Sequence, residues 1–232
     1  MSAAVTPELL AALAELDTPT VCNALEEIDA KHRDRGFTTE PLVCPFPNLK
    51  PIVGLARTGM IRAQRPGVGG GPETRVAYYE YVSAGDLPKV SVLQDLDGAN
   101  AGYGAFWGEV NSNVHKALGS LGVVTDGCIR DIPDWAEGFQ ALAGSIKPSH
   151  AHVHMVQFGC QVNVAGMTVN HDDLIHADQH GAVVIPKEVA GEVTAAAGRI
   201  AAKEKVILDI CMSDGFTFEK LKAAMLGPKD IH

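Results

Sequence analysis

Positive charge is scarce in this chain: 19 Lys and Arg stand against 28 Asp and Glu, a formal charge of −9 with histidine neutral. Neutralising a nucleic-acid backbone takes clustered cations, so a broad nucleic-acid footprint is excluded. Long apolar runs are missing too, since no stretch approaches the roughly 18 uninterrupted apolar residues of a membrane-spanning helix. No membrane partner is expected. The five cysteines, Cys22, Cys44, Cys128, Cys160 and Cys211, are odd in number and form no CxxC pair. That pattern argues against a disulfide scaffold or a zinc site and for free thiols acting as small hydrophobes. The first sixteen residues carry Glu8 and Glu15, and no basic residue precedes Lys31. A secretory signal needs a basic start, so its absence and the free thiols together predict a cytoplasmic protein.

What is present is apolar material for a packed interior, with 46% hydrophobic and 20% charged residues. Neither an internal repeat, a low-complexity tract nor a linker divides the sequence, which predicts one α/β domain over residues 1–232. Thr6-Pro7-Glu8 and Thr18-Pro19-Thr20 read as two helix starts, threonine capping and proline taking the first helical position. Residues 54–62 read as a strand, 74–83 as a helix and 90–93 as a short strand ending in Asp95-Leu96-Asp97. Residues 108–119 are amphipathic at helical spacing, 122–125 form a buried-type strand, and Pro133 permits another helix start. Five short strands are expected at 152–158, 161–164, 167–169, 174–177 and 182–185. A long helix over 186–208 and a last one over 217–226 complete the pattern.

The segment from Gly104 to Asp131 carries the most chemistry. A glycine-rich turn enters a helix at Trp107-Gly108-Glu109, and a strand later delivers Arg130 beside Asp131. Unpaired amides at a helix start, here Gly108, Glu109, Val110 and Asn111, can hold a substrate carboxylate. Arg130 suits bidentate recognition of a carboxylate or keto-acid oxygen, and Asp131 offers a hard oxygen ligand for Mg²⁺ or Mn²⁺. Both follow a strand, at the end of a sheet where α/β proteins bind ligands. An Arg-Asp pair that only caps a loop is the competing interpretation.

Between Glu109 and Arg130-Asp131 lie 20 residues. This acidic-x20-Arg-Asp pattern, with Val123-Val124-Thr125-Asp126-Gly127 before it and Asp178-Gln179-His180-Gly181 after it, resembles the RraA-like family. That family includes the class II 4-hydroxy-4-methyl-2-oxoglutarate aldolases. The resemblance implies a swivelling β/β/α fold with N- and C-terminal helices, assembled as a homotrimer or homohexamer with sites between subunits. It further implies a divalent cation held directly by Asp131 and otherwise largely by water. A pyruvate-like 2-oxo acid would be gripped by Arg130 and by the amides of Gly108, Glu109, Val110 and Asn111. Glu109 would orient or deprotonate a metal-bound water; some aldolases of this kind carry aspartate there, one methylene shorter. Glu204, in the late helix, matches the place of a carboxylate supplied across subunits, although Lys203-Glu204-Lys205 also reads as a solvated charge cluster. The implied activity is retro-aldol release of pyruvate, with oxaloacetate decarboxylation as a second activity of the same site. The alternative within the family is a non-catalytic regulator that binds a ribonuclease; such regulators tend to lack the acidic residue after the arginine. The family has also carried a methyltransferase label, but no glycine-rich methyl-donor motif is present.

Other clusters are weaker candidates. His150, His152 and His154 alternate, so on a strand they would share one face about 6.6 Å apart, too far to close together on one small ion. Surface, core or substrate-pocket histidines are the expected alternatives. In the cluster His171 to His180, Asp172-Asp173 reads as a turn. The glycines from Gly67 to Gly71 lack the GxxxxGK[ST] order of a phosphate loop and suggest an active-site or interface loop. Arg57, Arg62, Arg65 and Arg75 could add anion contacts near that loop, with solvated surface the expected place of each, and Asp95 and Asp97 either cap a turn or face the outer shell of a metal.

Overall fold

The computed structural model describes residues 5–67 and 71–226. Its centre is a long strand β1 (Ile52–Arg62), paired in parallel with β2 (Lys89–Asp95). Beyond β2 come β3 (Ser120–Ile129) and β4 (Gln140–Ile146), also parallel. The other edge of β1 is shared: its first residues pair antiparallel with β8 (Leu174–Asp178) and its last with β5 (His154–Phe158). Strand β9 (Gly181–Ile185) then closes on β8, while β6 (Val162–Val164) and β7 (Met167–Val169) form a separate hairpin.

Alternation along the parallel strands sorts the core onto two faces. Val90, Val92 and Val124 pack with Val162, Val164, Met167 and Val169 of the β6–β7 hairpin. Their neighbours Leu93 and Val123 point the other way, into Tyr78 and Val82 of α3 (Pro72–Ser83) and into Trp107 just before α4 (Glu109–Ala117). The result is a mixed α/β domain in which the sheet lies between a small hairpin and helices. Helices also stand at both ends of the chain: α1 (Pro7–Leu13) and α2 (Thr18–Ile28) pack with α5 (Val193–Cys211) against Val53, Leu174 and Val183, and α6 (Phe218–Leu226) follows. Among the described residues, no helix is long and apolar enough to cross a membrane.

Several expectations need correction. Asp17, not Thr18, caps α2, its Oδ1 accepting the Thr20 amide at 2.8 Å. Thr18 instead lies in the first turn, where its hydroxyl meets Nδ1 of the buried His176 at 3.0 Å and ties the helix to β8. Residues after Pro133 form only a single 3₁₀ turn, Ile132–Asp134, and then the unforeseen strand β4. Strand β3 runs past Thr125 to Ile129 through a bulge, where three steps on β3 match two on β4. The start of the 186–208 helix is replaced by a 3₁₀ turn, with α5 proper spanning Val193–Cys211.

At that bulge, the Asp126 Oδ1 accepts the Asp95 amide at 2.7 Å. Burial, only partly offset by this bond, raises its pKa from 3.8 to about 6, and the nearby Asp95 carboxylate pushes the same way. A carboxyl with a folded pKa above its unfolded value favours the fold when protonated, and that contribution disappears as pH rises through about 6. Asp126→Asn keeps the acceptor and removes the charge. Urea denaturation at pH 8 is therefore expected to show a gain of about 1–3 kcal/mol, shrinking toward zero as pH falls to about 4. A gain independent of pH would refute this account.

Candidate active site

The spacing between Glu109 and Arg130 is the path out along α4 and back along β3. Gly119, at φ 86°, makes the turn between them, and β3 then returns its end to the start of the helix. There the Arg130 amide donates to the Trp107 carbonyl at 3.0 Å, and Trp107 bridges Ile129 in parallel. The motif's two halves are thereby clamped together by backbone.

Asp131 follows in the left-handed region at φ 56°, a conformation that aspartate tolerates better than most residues. Its Oδ2 lies 3.6 Å from the Arg130 Nε and accepts a long hydrogen bond, 3.4 Å, from the Glu109 amide. Gly108 explains how the carboxylate comes so close. A Cβ at that position would stand 2.5 Å from Asp131 Oδ2 and 3.2 Å from Arg130 Cγ. Since φ of Gly108 is −168°, ordinary extended backbone, the missing side chain and not conformational freedom is what the position requires. Glu109 and Val110 are exposed, and no acceptor among the described residues takes the amides of Val110 and Asn111. That is the expected state of first-turn amides, and they carry the positive end of the helix dipole.

Arg130 stands between two openings. With Asp131, Lys147 and Pro148 it lines a hollow of about 430 Å³. On its other side is a cleft of about 600 Å³ shared with Val110, Asn111, Tyr79 and Arg75. Asn111 is fixed there, its Oδ1 accepting from the Tyr79 hydroxyl at 2.7 Å and its amide nitrogen donating to the Phe106 carbonyl. Burial raises the Tyr79 pKa, with the Arg75 charge opposing, so this hydroxyl remains a neutral donor.

The histidines of residues 150–154 line the same cleft, but not as alternating residues of one strand. Strand β5 starts only at His154, and Ala151 takes φ 46° in a turn held by the Ser149 hydroxyl, which accepts the Ala151 amide at 3.0 Å. The second histidine-rich segment is structural. His176 hydrogen-bonds the carbonyls of Leu13 and Leu16, and Asp178 accepts the Thr18 amide at 2.9 Å. Asp172 and Asp173 do occupy a turn: Asp173 Oδ2 accepts the Asn170 amide at 2.7 Å, and Asp172 pairs with Arg57. Arg57 is thus only 4% exposed, contrary to its expected surface position. Asp95 and Asp97 cap turns, Asp95 accepting amides of Asp97 and Gly102, and Asp97 those of Ala63 and Gln64. Of the glycine cluster, Val68, Gly69 and Gly70 lie outside the described residues, while Gly67 lines the cleft. Glu204 is exposed on α5 beside Glu26, Glu27 and Lys203, in a different hollow from Arg130.

Among the described residues, no group of three or more His, Cys, Asp or Glu could hold a metal ion. Among the described residues Asp131 is the one carboxylate lining its hollow, and its side chain is 33% exposed. One hard oxygen ligand in a wet hollow, with the space that Gly108 leaves open, fits a cation such as Mg²⁺ that keeps most of its water shell; it does not fit a closed zinc site.

Comparison with known proteins extends this picture. The family model described as RraA-like, Aldolase/RraA, matches residues 18–184. A protein of Methanocaldococcus jannaschii named only as uncharacterized is 36% identical over 105 residues, which are 44% of this chain and 50% of that protein. The alignment thus spans half the length of that curated relative. A solved structure of Streptomyces coelicolor RraAS2, titled an unusual member of the RNase ES inhibitor RraA protein family, is 25% identical with a TM-score of 0.68, covering 88% of this chain and 96% of that one. An uncharacterized protein from Pseudomonas syringae pv. tomato shares the fold at 22% identity, with a TM-score of 0.71 and 96% coverage of both chains.

Proposed function

The chain belongs to the RraA-like family, and from that premise we propose a divalent-metal-dependent carbon–carbon lyase. It cleaves a 4-hydroxy-2-oxo acid of the 4-hydroxy-4-methyl-2-oxoglutarate type to pyruvate, with oxaloacetate decarboxylation as a second activity. The observation that carries this reading is the pairing of Arg130 and Asp131, 3.6 Å apart in one hollow at the start of α4.

In the cleavage, the C3–C4 bond breaks, the 4-hydroxyl proton leaves to a base, and the electron pair moves toward the keto oxygen of the pyruvyl half. Asp131 would hold Mg²⁺ or Mn²⁺, which supplies Lewis-acid stabilisation of that negative charge when bound. Arg130 binds the 2-oxo acid end, and the free amides of Val110 and Asn111 add donors for its carboxylate. Glu109, exposed at the first helical position with its amide beside Asp131, is assigned as the proton acceptor. No Schiff-base lysine is required, and protonation of C3 completes pyruvate. Glu204 can reach such a site only from another copy, since on its own chain it lines a separate hollow. A homotrimer or homohexamer is proposed from the family resemblance, and light scattering showing a lone monomer would remove Glu204 from the site.

A second reading, a non-catalytic ribonuclease-binding regulator, is favoured by the likeness to RraAS2. The retained Asp131 speaks against it. The test is pyruvate release from 4-hydroxy-4-methyl-2-oxoglutarate, 4-carboxy-4-hydroxy-2-oxoadipate and oxaloacetate, with and without Mg²⁺ or Mn²⁺. Metal-dependent turnover of at least one is expected. No turnover of any, with inhibition of a ribonuclease by the same preparation, would replace the lyase by the regulator.

A further inference from the structure

We infer that Arg75, beside His154, forms a second anion subsite, which receives a carboxylate on the substrate half beyond the broken bond and makes Arg75 a determinant of specificity. This rests on the keto-acid reading of the Arg130 end. The first observation is compositional. In a chain of net charge −9, the cleft of about 600 Å³ is lined, among the described residues, by two arginines and three histidines and by no aspartate or glutamate. Walls with two guanidinium groups and no opposing carboxylate raise the local concentration of an anionic ligand.

The second observation is position. Arg130 borders the hollow that contains Asp131, and Arg75 does not. Arg75 and His154 border a small recess with Thr74 and Met155, which Arg130 does not reach. The two guanidinium groups therefore serve different ends of the cleft between them, and a ligand that satisfies both carries an anionic group at each end. Arg75 forms no ion pair with a carboxylate among the described residues, although most arginines of this acidic chain do. The Tyr79 hydroxyl and Asn111, hydrogen-bonded to each other, line the same cleft.

His154 stands beside Arg75. Its Nδ1 lies 2.8 Å from the His152 carbonyl, which only accepts, so Nδ1 carries the proton and Nε2 of the neutral ring is an acceptor; the contact with an anion therefore falls to Arg75. Gly67 packs on the ring so closely that a Cβ would stand 2.6 Å from it. Gly67 and the start of strand β5 are thus fitted to each other around this imidazole. Cleft volume is no obstacle, since small-ligand sites commonly occupy several hundred Å³.

The test separates the charge of the distal end from the chemistry at the other. With Mg²⁺ present, calorimetric titration compares 2-oxoglutarate with 2-oxopentanoate, of equal length but ending in a methyl group. Wild type is expected to bind 2-oxoglutarate at least about tenfold more tightly, a single charge-assisted contact being worth about that much. Arg75→Gln is expected to level the two, Arg75→Lys to restore part of the preference, and Arg130→Gln to weaken both. In turnover, 4-hydroxy-2-oxoglutarate is compared with 4-hydroxy-2-oxopentanoate, and Arg75→Gln should raise KM for the first with little change in kcat. Equal wild-type binding of the two oxo acids, no binding of either, or equal weakening of both by Arg75→Gln overturns the subsite. If the binding difference stands while neither hydroxy acid is cleaved, the lyase reading falls and the subsite survives.

Discussion

Replacing Asp131 with alanine is expected to lower kcat/KM for pyruvate release by about 10³-fold, roughly 4 kcal/mol of transition-state stabilisation. The size follows from what the residue does alone. Among the described residues no other carboxylate lines its hollow, so none there replaces it as an anchor for a hard cation. Alanine at φ 56° also carries a backbone cost, about 1–2 kcal/mol, which would blur the interpretation. Asp131→Asn avoids that cost, because asparagine tolerates the left-handed region, and it removes the charge while keeping the shape. Both variants should lose similar activity. A readout independent of turnover is the shift of thermal midpoint with Mn²⁺: a ligand at 100 times its Kd stabilises the fold by about 2.7 kcal/mol. Wild type should show a shift of this kind and both variants should lose it. Unchanged turnover in Asp131→Ala would end the metal assignment.

Arg130 and Asp131 stood out in the sequence through a resemblance, the acidic-x20-Arg-Asp pattern, and the spacing in that pattern has a physical basis. It is set by one helix, one left-handed glycine turn and one strand. The parallel strands were legible directly, since burial on both faces leaves runs such as Val90, Val92 and Leu93. Strand β4 was not. Its residues Gln140-Ala141-Leu142-Ala143-Gly144 have little intrinsic strand preference and owe their conformation to pairing with β3. Gly144 is needed there because a Cβ would stand 2.2 Å from the Asp126 carbonyl oxygen at the bulge, a contact that no local pattern announces.

The far side of the cleft was hidden more deeply. Alternation of His150, His152 and His154 suggested a strand face, but Ser149 accepting the Ala151 amide bends the first two into a turn. Pro148-Ser149 before them was the available signal, because proline followed by serine favours turn initiation. Arg57 and Arg75 are indistinguishable in sequence as surface arginines of one region. Burial separates them: Arg57 is locked to Asp172, whereas Arg75 is exposed at the cleft. Asp172 lies more than 100 residues downstream of Arg57, so the partner that decides this is supplied only by the fold.

Gly108→Ala should produce a large loss, about a tenth of that of the Asp131 substitution, while leaving every proposed catalytic group in the sequence. The added Cβ meets Asp131 Oδ2 at 2.5 Å and Arg130 Cγ at 3.2 Å, so both side chains have to shift. A displacement near 1 Å at a reacting constellation costs about 10²-fold in rate, and that is the expected fall in kcat/KM. The fold should hardly notice. At φ −168° alanine is unstrained, and exchanging glycine for alanine at a helix N-cap costs at most about 1 kcal/mol. The loss is therefore expected in turnover and in the Mn²⁺-induced shift, with a urea midpoint close to that of wild type. The double variant Gly108→Ala/Asp131→Asn checks the mechanism. If the methyl group acts through Asp131, its effect on activity should largely vanish once the carboxylate is gone, and the two losses will be far from additive. Independent, additive losses would mean that Gly108 serves the site through some contact other than the one with Asp131.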